Sequence, residues 1–240
     1  MGRTKTTSDA RQRILETADR LFYAGGVRAV GVDRIIAESG VAKMTLYAHF
    51  RSKDELITAV LRYREEQFLG WFRETMDRHV RSGKDRLAAL FAALKDWFET
   101  PTFRGCAFIN ASVELADAEH PGSAFARAHK GRFHAFLAGL IEGSLGQSAA
   151  KLAPAVAILI EGAIVMAVIE GSAQTADVAR DAALRLLSPS IEDNPSRSRG
   201  HFDTPEANPR RPDDERSQDG SGRGWVGHDP LGREPDIASR

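Results

Sequence analysis

Apolar side chains recur at helical spacing along the first 190 residues, and no run of six or more residues alternates apolar and polar positions as a half-buried strand does. Glycines, Ser-Gly pairs and prolines interrupt this spacing at intervals. Ser52 and Glu55 have the spacing of a capping box at the start of one long segment. The pattern predicts an all-α fold of nine helices, at about residues 10–24, 32–38, 42–48, 53–80, 84–99, 105–116, 123–145, 150–172 and 176–187.

The second and third predicted helices are short and are joined by Ser39-Gly40-Val41, which gives them the dimensions of a helix-turn-helix. In that motif the first helix braces the second, which lies in the major groove of DNA. One face of helix 42–48 can dock on the module through Val41, Leu46 and Phe50. The other face offers groups suited to phosphates and base edges, and the candidate DNA contacts are Lys43, Met44, Thr45, Tyr47 and His49, with Lys53 on the next helix and Arg34 on the bracing helix.

Each of these candidates also has an ordinary structural interpretation. Tyr47 suits a core aromatic, Lys43 a solvated surface charge, and His49 a cap or a packing residue. Met44 suits contact with a base methyl group or the filling of a gap.

Residues 13–57 resemble the N-terminal module of TetR-type bacterial transcription repressors. The matching pieces are A-x-x-L-F-x-x-x-G at Ala18–Gly26, I-x-x-x-x-G-V at Ile35–Val41, K-x-T-L-Y-x-H-F at Lys43–Phe50 and S-K-D-E-L at Ser52–Leu56. The resemblance implies an all-helical body, a homodimer and a small-molecule pocket in the C-terminal domain. The chain departs from the family pattern at Val30-Gly31, where a Ser or Thr usually caps the bracing helix, and at Ala42 and Met44, which replace a frequent serine and glycine.

The predicted helix 150–172 is apolar nearly all round, which indicates burial on two sides. We expect a core on one side and a second subunit on the other, so that helices 150–172 and 176–187 pair with their twins as a four-helix bundle in a homodimer. A fully internal helix in a monomer is the alternative. Glu161 at the centre of the apolar run disfavours a membrane span, because a carboxylate at mid-bilayer costs about 3 kcal/mol or more.

The stretch RGCAFINASVEL at residues 104–115 resembles the G-C-x-F-x-N-x-x-x-E segment of one TetR subgroup. Asn110 and Glu114 are four residues apart on one helical face, where they can point into a pocket or satisfy helix ends and buried waters. The candidate ligand contacts are Trp71, Trp97, Phe108, Asn110 and Glu114. Cys106 suits a small buried hydrophobe or a thiol sensor at a helix N-terminus.

Charge is distributed unevenly along the chain. Residues 1–64 hold 12 Lys and Arg against 7 Asp and Glu, while residues 65–190 hold 13 against 15. A basic N-terminal module on a near-neutral body indicates contact with nucleic acid or a membrane surface at one end. We therefore expect a DNA-binding domain at 8–52, a ligand-binding and dimerisation domain at 53–188, and a disordered tail at 189–240, which holds few aliphatic residues and seven of the ten prolines.

These observations predict a ligand-responsive transcriptional repressor that binds a palindromic operator in double-stranded DNA as a homodimer. A thiol enzyme using Cys106 and a non-specific architectural DNA binder are the alternatives. The sequence has no nucleophile elbow, phosphate loop or metal-spaced ligand set, so we expect no catalysis, metal or cofactor. One cysteine and an N-terminus without an apolar signal segment favour the cytoplasm and no membrane.

Overall fold

The computed structural model describes residues 3–188, with side chains described from Asp9 onward. This part contains ten α-helices and no strand, which confirms the all-α prediction. The helices are α1 (Arg3–Gly25), α2 (Val32–Ser39), α3 (Lys43–His49), α4 (Lys53–Arg81), α5 (Arg86–Phe98), α6 (Ala107–Leu115), α7 (Pro121–Leu145), α8 (Gln147–Ala150), α9 (Ala153–Glu170) and α10 (Gln174–Leu187). The predicted disordered tail at 189–240 lies outside the described residues.

The structure adds one helix to the nine predicted. Residues 147–149, predicted to link helices 123–145 and 150–172, form the separate short α8 together with Ala150, and α9 begins at Ala153. Pro154 explains this start, because a proline in the first turn of a helix needs no amide hydrogen bond and fixes a helical φ. The ends of the other predicted helices lie within a few residues of the observed ones, except that α1 begins earlier, at Arg3.

The first three helices form a small module around one apolar centre. Ile14, Ile35, Leu46 and Phe50 are among its fully buried side chains. Gly40 turns the chain between α2 and α3 with φ 64° and ψ 29°, a left-handed conformation that glycine adopts at little cost. The predicted docking face of α3 is therefore confirmed, since Val41, Leu46 and Phe50 are all buried.

Helix α4 links this module to the rest of the protein. The Ser52 hydroxyl accepts a hydrogen bond from the Glu55 backbone amide at 3.1 Å, and the Glu55 carboxylate accepts one from the Arg51 amide at 2.8 Å. These two bonds satisfy free amides at the helix start, as the capping box predicts. At 29 residues the helix is roughly 43 Å long. It contributes Leu56 and Val60 to the core near the module and Phe72 and Met76 farther along.

Helices α5–α10 form the body around α4. One face of α9, including Val156, Ile160 and Ala163, is buried. By length and apolar composition α9 is the one helix in the described residues able to cross a membrane, and 39% of it is buried within the chain. The Thr175 hydroxyl of the α10 start donates to the Ala163 carbonyl at 3.1 Å, which ties α10 to the buried face of α9.

Candidate functional site

Helix α3 presents an unusually exposed set of side chains. Met44 is 82% exposed and Tyr47 is 41% exposed, although both are large side chains that normally pack. Lys43 is also exposed, whereas Thr45 and His49 are half-buried at the edge of the same surface. Because the buried residues Leu46 and Phe50 anchor the opposite side, this face is held outward by packing.

The cationic side chains around α3 make only exposed contacts within the chain, so they can also bind an anion. Lys43 Nζ lies 3.4 Å from Asp33 Oδ1, and Arg34 Nε lies 2.8 Å from Glu38 Oε1. Hydrogen bonds from Arg20 and then from Arg34 hold the pKa of Glu38 below its usual value, so this carboxylate stays charged. Lys53 Nζ donates to the Arg28 carbonyl at 3.2 Å. Exposed ion pairs of this kind are weak because water screens them, so they do not compete strongly with a phosphate.

The start of α2 matches the departure noted in the sequence. Gly31 occupies the N-cap position with extended backbone, and no side chain caps the helix. A Ser or Thr hydroxyl at this position could cap the helix or contact a phosphate, and Gly31 has no side chain to do either.

The module of α1–α3 and the body meet at a junction between the end of α1 and the start and end of α6. The Tyr23 hydroxyl donates to the Gly105 carbonyl and accepts from the Arg104 amide, both at 2.9 Å. Burial raises the pKa of Tyr23, so its hydroxyl keeps the proton that it donates. The Arg104 guanidinium donates to the Ala24 carbonyl at 3.0 Å. These bonds fasten the segment before α6 to the last turn of α1.

Glu114 fastens the other end of α6 to the loop between α1 and α2. Its Oε2 accepts a hydrogen bond from the Arg28 amide at 3.0 Å. Gly26 has φ +87°, and a Cβ built on it would lie 2.6 Å from Glu114 Oε2. The carboxylate therefore occupies the space above this glycine, which no other residue type would leave open.

A cavity of about 180 Å³ lies between α4, α5, α6, α7 and α9. Its wall is mainly apolar and includes six aromatic side chains, with the Phe68 and Trp97 ring centroids 4.7 Å apart. Phe108 and the His129 imidazole are stacked, with centroids 3.6 Å apart and planes 14° from parallel. The aromatic lining residues are Phe68, Phe72, Trp97, Phe108, Phe133 and Phe136. A concave, mainly apolar cavity with polar groups at its edge is the usual form of a small-molecule site.

Two polar groups of residues line the same cavity. Lys130 Nζ donates to Glu161 Oε1 at 2.5 Å and to Cys106 Sγ at 3.3 Å. In the second group, Arg132 and His129 Nδ1 both contact Glu65 Oε1, at 2.6 and 2.7 Å. Burial lowers the pKa of His129 more than Glu65 raises it, so we assign a neutral imidazole that donates its Nδ1–H to the carboxylate.

The structure distributes the five predicted ligand contacts among three places. Trp97 and Phe108 line the aromatic cavity. Trp71 lies behind its wall, with its ring centroid 6.1 Å from that of Phe68. Asn110 and Glu114 instead line a separate cleft of about 320 Å³ at the junction, together with Tyr23 and Arg104.

Sequence reasoning missed Lys130, His129, Glu65 and Glu161 as lining residues. Glu161 did carry a signal, since it is the single charged side chain within the apolar run 152–169. The others come from α4 and α7, and no local spacing relates them to Glu161. Cys106, in contrast, is buried as the small-hydrophobe interpretation expects, with Lys130 beside its sulfur.

The outer face of α9 and α10 is apolar and exposed in the single chain. Ile158 and Ile169 are 73% and 71% exposed, and Val178 on α10 is 68% exposed. The other exposed apolar residues on the outer side of these helices are Val165, Met166, Leu184 and Leu186. Several large apolar side chains exposed on two packed helices are typical of an interaction surface.

Comparison with known proteins gives matches to both halves of the described chain. Residues 14–60 match the family described as bacterial regulatory proteins, tetR family. Residues 83–183 match the family described as tetracyclin repressor-like, C-terminal domain.

Among solved structures, SCO4454, a TetR-family transcriptional regulator from Streptomyces coelicolor, is 31% identical and superposes with a TM-score of 0.64. The alignment covers 75% of this chain and 95% of SCO4454. A TetR-transcriptional regulator from Streptomyces avermitilis is 27% identical, with a TM-score of 0.53, over 72% of this chain and 97% of the other.

Among curated proteins, the HTH-type transcriptional activator FasR of Mycolicibacterium smegmatis is 34% identical over 91 residues, which are 38% of this chain and 41% of FasR. The HTH-type transcriptional regulator SAUSA300_2515 of Staphylococcus aureus is 36% identical over 73 residues, 30% of this chain and 40% of that protein. The chain thus spans about two fifths of the length of these relatives. Both family matches, the fold and the identity across nearly all of SCO4454 agree: the chain belongs to the TetR family of transcriptional regulators and carries its helix-turn-helix DNA-binding module.

Proposed function

We propose that this protein is a ligand-responsive transcriptional repressor that binds a palindromic operator as a homodimer, with α3 of each subunit in a major groove. The observation that carries the proposal is the face of α3, where Met44 and Tyr47 are exposed while Leu46 and Phe50 are buried. Large side chains such as these are usually buried, and DNA lying against α3 would cover them. A regulator of this kind acts where the chromosome is, so we place it in the cytoplasm.

The contacts divide by chemistry. Lys43, Tyr47 and Lys53 offer a cation or hydroxyl to phosphates, and Arg34 reaches the backbone from α2. Met44 and Thr45 present methyl groups, and Thr45 and His49 present hydrogen-bonding groups, to base edges. Phosphate contacts set affinity for any duplex, whereas the base contacts set the sequence that is preferred.

The proposed dimer uses the exposed apolar face of α9 and α10. Pairing this face with its twin across a two-fold axis removes its side chains from water at about 25 cal/mol per Å² of apolar area. Both helices already pack against each other on their inner sides, so pairing gives a four-helix bundle. A two-fold axis also orients the two α3 helices for an inverted repeat.

Substituting Val165, at the exposed apolar face, with aspartate tests this arrangement, because it buries an unpaired charge in the proposed interface. We expect the variant to sediment as a monomer at micromolar concentration and to lose operator binding. Val113 on α6 is also an exposed valine, so Val113→Asp is the control and should remain a dimer. A dimeric Val165→Asp protein contradicts the interface.

The proposed response to ligand runs through α6. This helix carries Phe108 at the cavity and Glu114 at the loop before α2, so a ligand that displaces one end disturbs the other. By linkage, a ligand that weakens DNA binding is itself bound less tightly by the DNA-bound form, by the same factor. Switching from bound to free needs about 2–4 kcal/mol of differential affinity.

Activation is the second candidate, and the name of FasR as a transcriptional activator favours it. The two functions share the same DNA contacts and differ in where the operator lies relative to the promoter. Selection of bound fragments from random duplex DNA, followed by transcription from the promoter next to the matching chromosomal site, separates them. Repression predicts a palindromic consensus and less transcript when protein is added. More transcript supports activation, and a pool without an enriched sequence contradicts both.

A further inference from the structure

One end of the aromatic cavity is a three-residue polar group that leaves hydrogen-bonding capacity unused. The Lys130 ammonium has three N–H donors and uses two of them, on Glu161 Oε1 and Cys106 Sγ. Its remaining donor has no acceptor among the hydrogen bonds of the described residues. The group therefore has one spare donor beside the cavity.

Glu161 supplies the matching spare acceptor. Its Oε2 is buried and has no hydrogen-bond donor from the described part of the chain. A buried carboxylate oxygen without a donor is costly, so a group that supplies one gains an unusually favourable bond. The side chain lines the cavity and is 22% exposed, and the last torsion of glutamate is broad, so a modest rotation turns Oε2 toward the cavity.

The rest of the cavity sets the shape of the occupant. Rings of Phe68, Trp97, Phe133 and Phe136 line it, and aromatic walls favour a flat ring that packs against them. The volume of about 180 Å³ is smaller than the roughly 300–1,000 Å³ of sites for drug-sized ligands. The occupant is accordingly a small molecule of about two fused rings.

We propose that the effector is a small, flat, neutral aromatic molecule with a hydroxyl group, whose O–H donates to Glu161 Oε2 and whose oxygen accepts from Lys130. This inference rests on the proposed ligand response and names the chemical class that the same cavity selects. A hydroxyl donates and accepts at one atom, as the spare pair requires. Other functional groups fit this pair less well. A protonated amine cannot accept a hydrogen bond and is repelled by the Lys130 ammonium, and a carboxylate is repelled by the Glu161 carboxylate. An ether oxygen can accept from Lys130 but cannot donate to Glu161.

The test uses 2-naphthol and its methyl ether, 2-methoxynaphthalene, as probes in calorimetric titrations of the full chain. We expect wild-type protein to bind 2-naphthol about tenfold or more tightly than the ether, because the ether leaves the carboxylate oxygen without a donor. In Glu161→Gln the amide oxygen can still accept from Lys130 while its NH₂ faces the cavity. That variant should lose the preference or reverse it. Glu142→Gln, an exposed change on α7, is the control and should keep it.

Several results overturn the inference. They are equal affinity of wild-type protein for the two probes, absence of binding for both up to about 1 mM, and a preference that survives in Glu161→Gln. The wild-type comparison holds even if a variant folds poorly. Operator release, measured on the same samples, tests the proposed function separately. If 2-naphthol binds with the expected preference and leaves operator affinity unchanged, the cavity assignment stands and the ligand response fails.

Discussion

The helix-turn-helix module and the aromatic cavity are built from the chain in opposite ways. The face of α3 takes its groups from one short helix, so all of them lie within the seven residues Lys43–His49. The cavity takes its polar groups from Glu65, Cys106, Lys130 and Glu161, which lie on four different segments of the body. The face of α3 is exposed because the opposite face of the same helix is packed. The cavity instead depends on how five helices pack against one another.

The largest effect should come from the buried side of α3. Phe50 is almost fully buried beneath the helix, so Phe50→Ala should destabilise the module by about 3–5 kcal/mol through lost burial and a cavity. Chemical denaturation followed by circular dichroism measures this loss. Tyr47→Ala, three residues away and exposed, is the control and should change stability by about 0.5 kcal/mol or less. Similar losses for both would mean that Tyr47 is a packing residue.

The next effect concerns the junction that joins the two regions. Gly26→Ala should destabilise the protein by about 2–3 kcal/mol, because it strains a left-handed backbone and pushes Glu114 off the Arg28 amide. Gly83→Ala has the same backbone strain at φ +96° but open space around its Cβ. It should cost only about 1–2 kcal/mol. Equal losses in thermal unfolding would show that Glu114 contributes nothing to the junction.

A smaller effect separates affinity from sequence preference on α3. Tyr47→Ala should weaken binding to operator and to random duplex alike by about 1.5 kcal/mol, since it removes a hydrogen bond to charged phosphate. Thr45→Ala should weaken operator binding more than random-duplex binding, by about 1 kcal/mol, because it removes a base contact. Fluorescence anisotropy at fixed salt measures both. A parallel loss on the two duplexes for Thr45→Ala would exclude base readout by that residue.

The smallest effect is the pH response of the cavity. The pKa of His129 in the folded protein lies below its ordinary 6.5, first because of burial. As the pH falls, the unfolded chain therefore binds more protons than the folded chain. The free energy of unfolding consequently decreases below about pH 6.5. Melting temperature should drop less between about pH 7 and pH 5 in His129→Gln than in wild-type protein. Identical slopes would show that His129 does not carry this response.

The extent to which the sequence predicted each region follows from this difference in construction. Nine of the helices, the buried docking residues Val41, Leu46 and Phe50, and the exposure of Lys43, Met44 and Tyr47 on α3 follow from local periodicity. Asn110 and Glu114 show the limit. Their spacing puts them on one face of α6, as predicted, but only the packed fold determines that this face meets the DNA-binding module.

Helix α9 is a second case in which the sequence predicted burial but not the residues that provide it. Its all-round apolarity indicated two covered faces, and the chain alone covers one of them. The pair of Lys130 and Glu161 was not predictable, because 31 residues separate the partners and no pattern relates them. Their meeting depends on the crossing of α7 and α9, which side-chain packing sets.

The central claim is that two copies of α3, held by one two-fold body, read one inverted repeat. The most direct test is the mass and affinity of the complex on two duplexes, the selected operator and the same operator with one half-site scrambled. We predict two chains on the intact site and a loss of affinity of about 10²-fold or more on the scrambled one, since half of the base contacts disappear. A single chain bound to each duplex, or equal affinity for the two, would contradict the account.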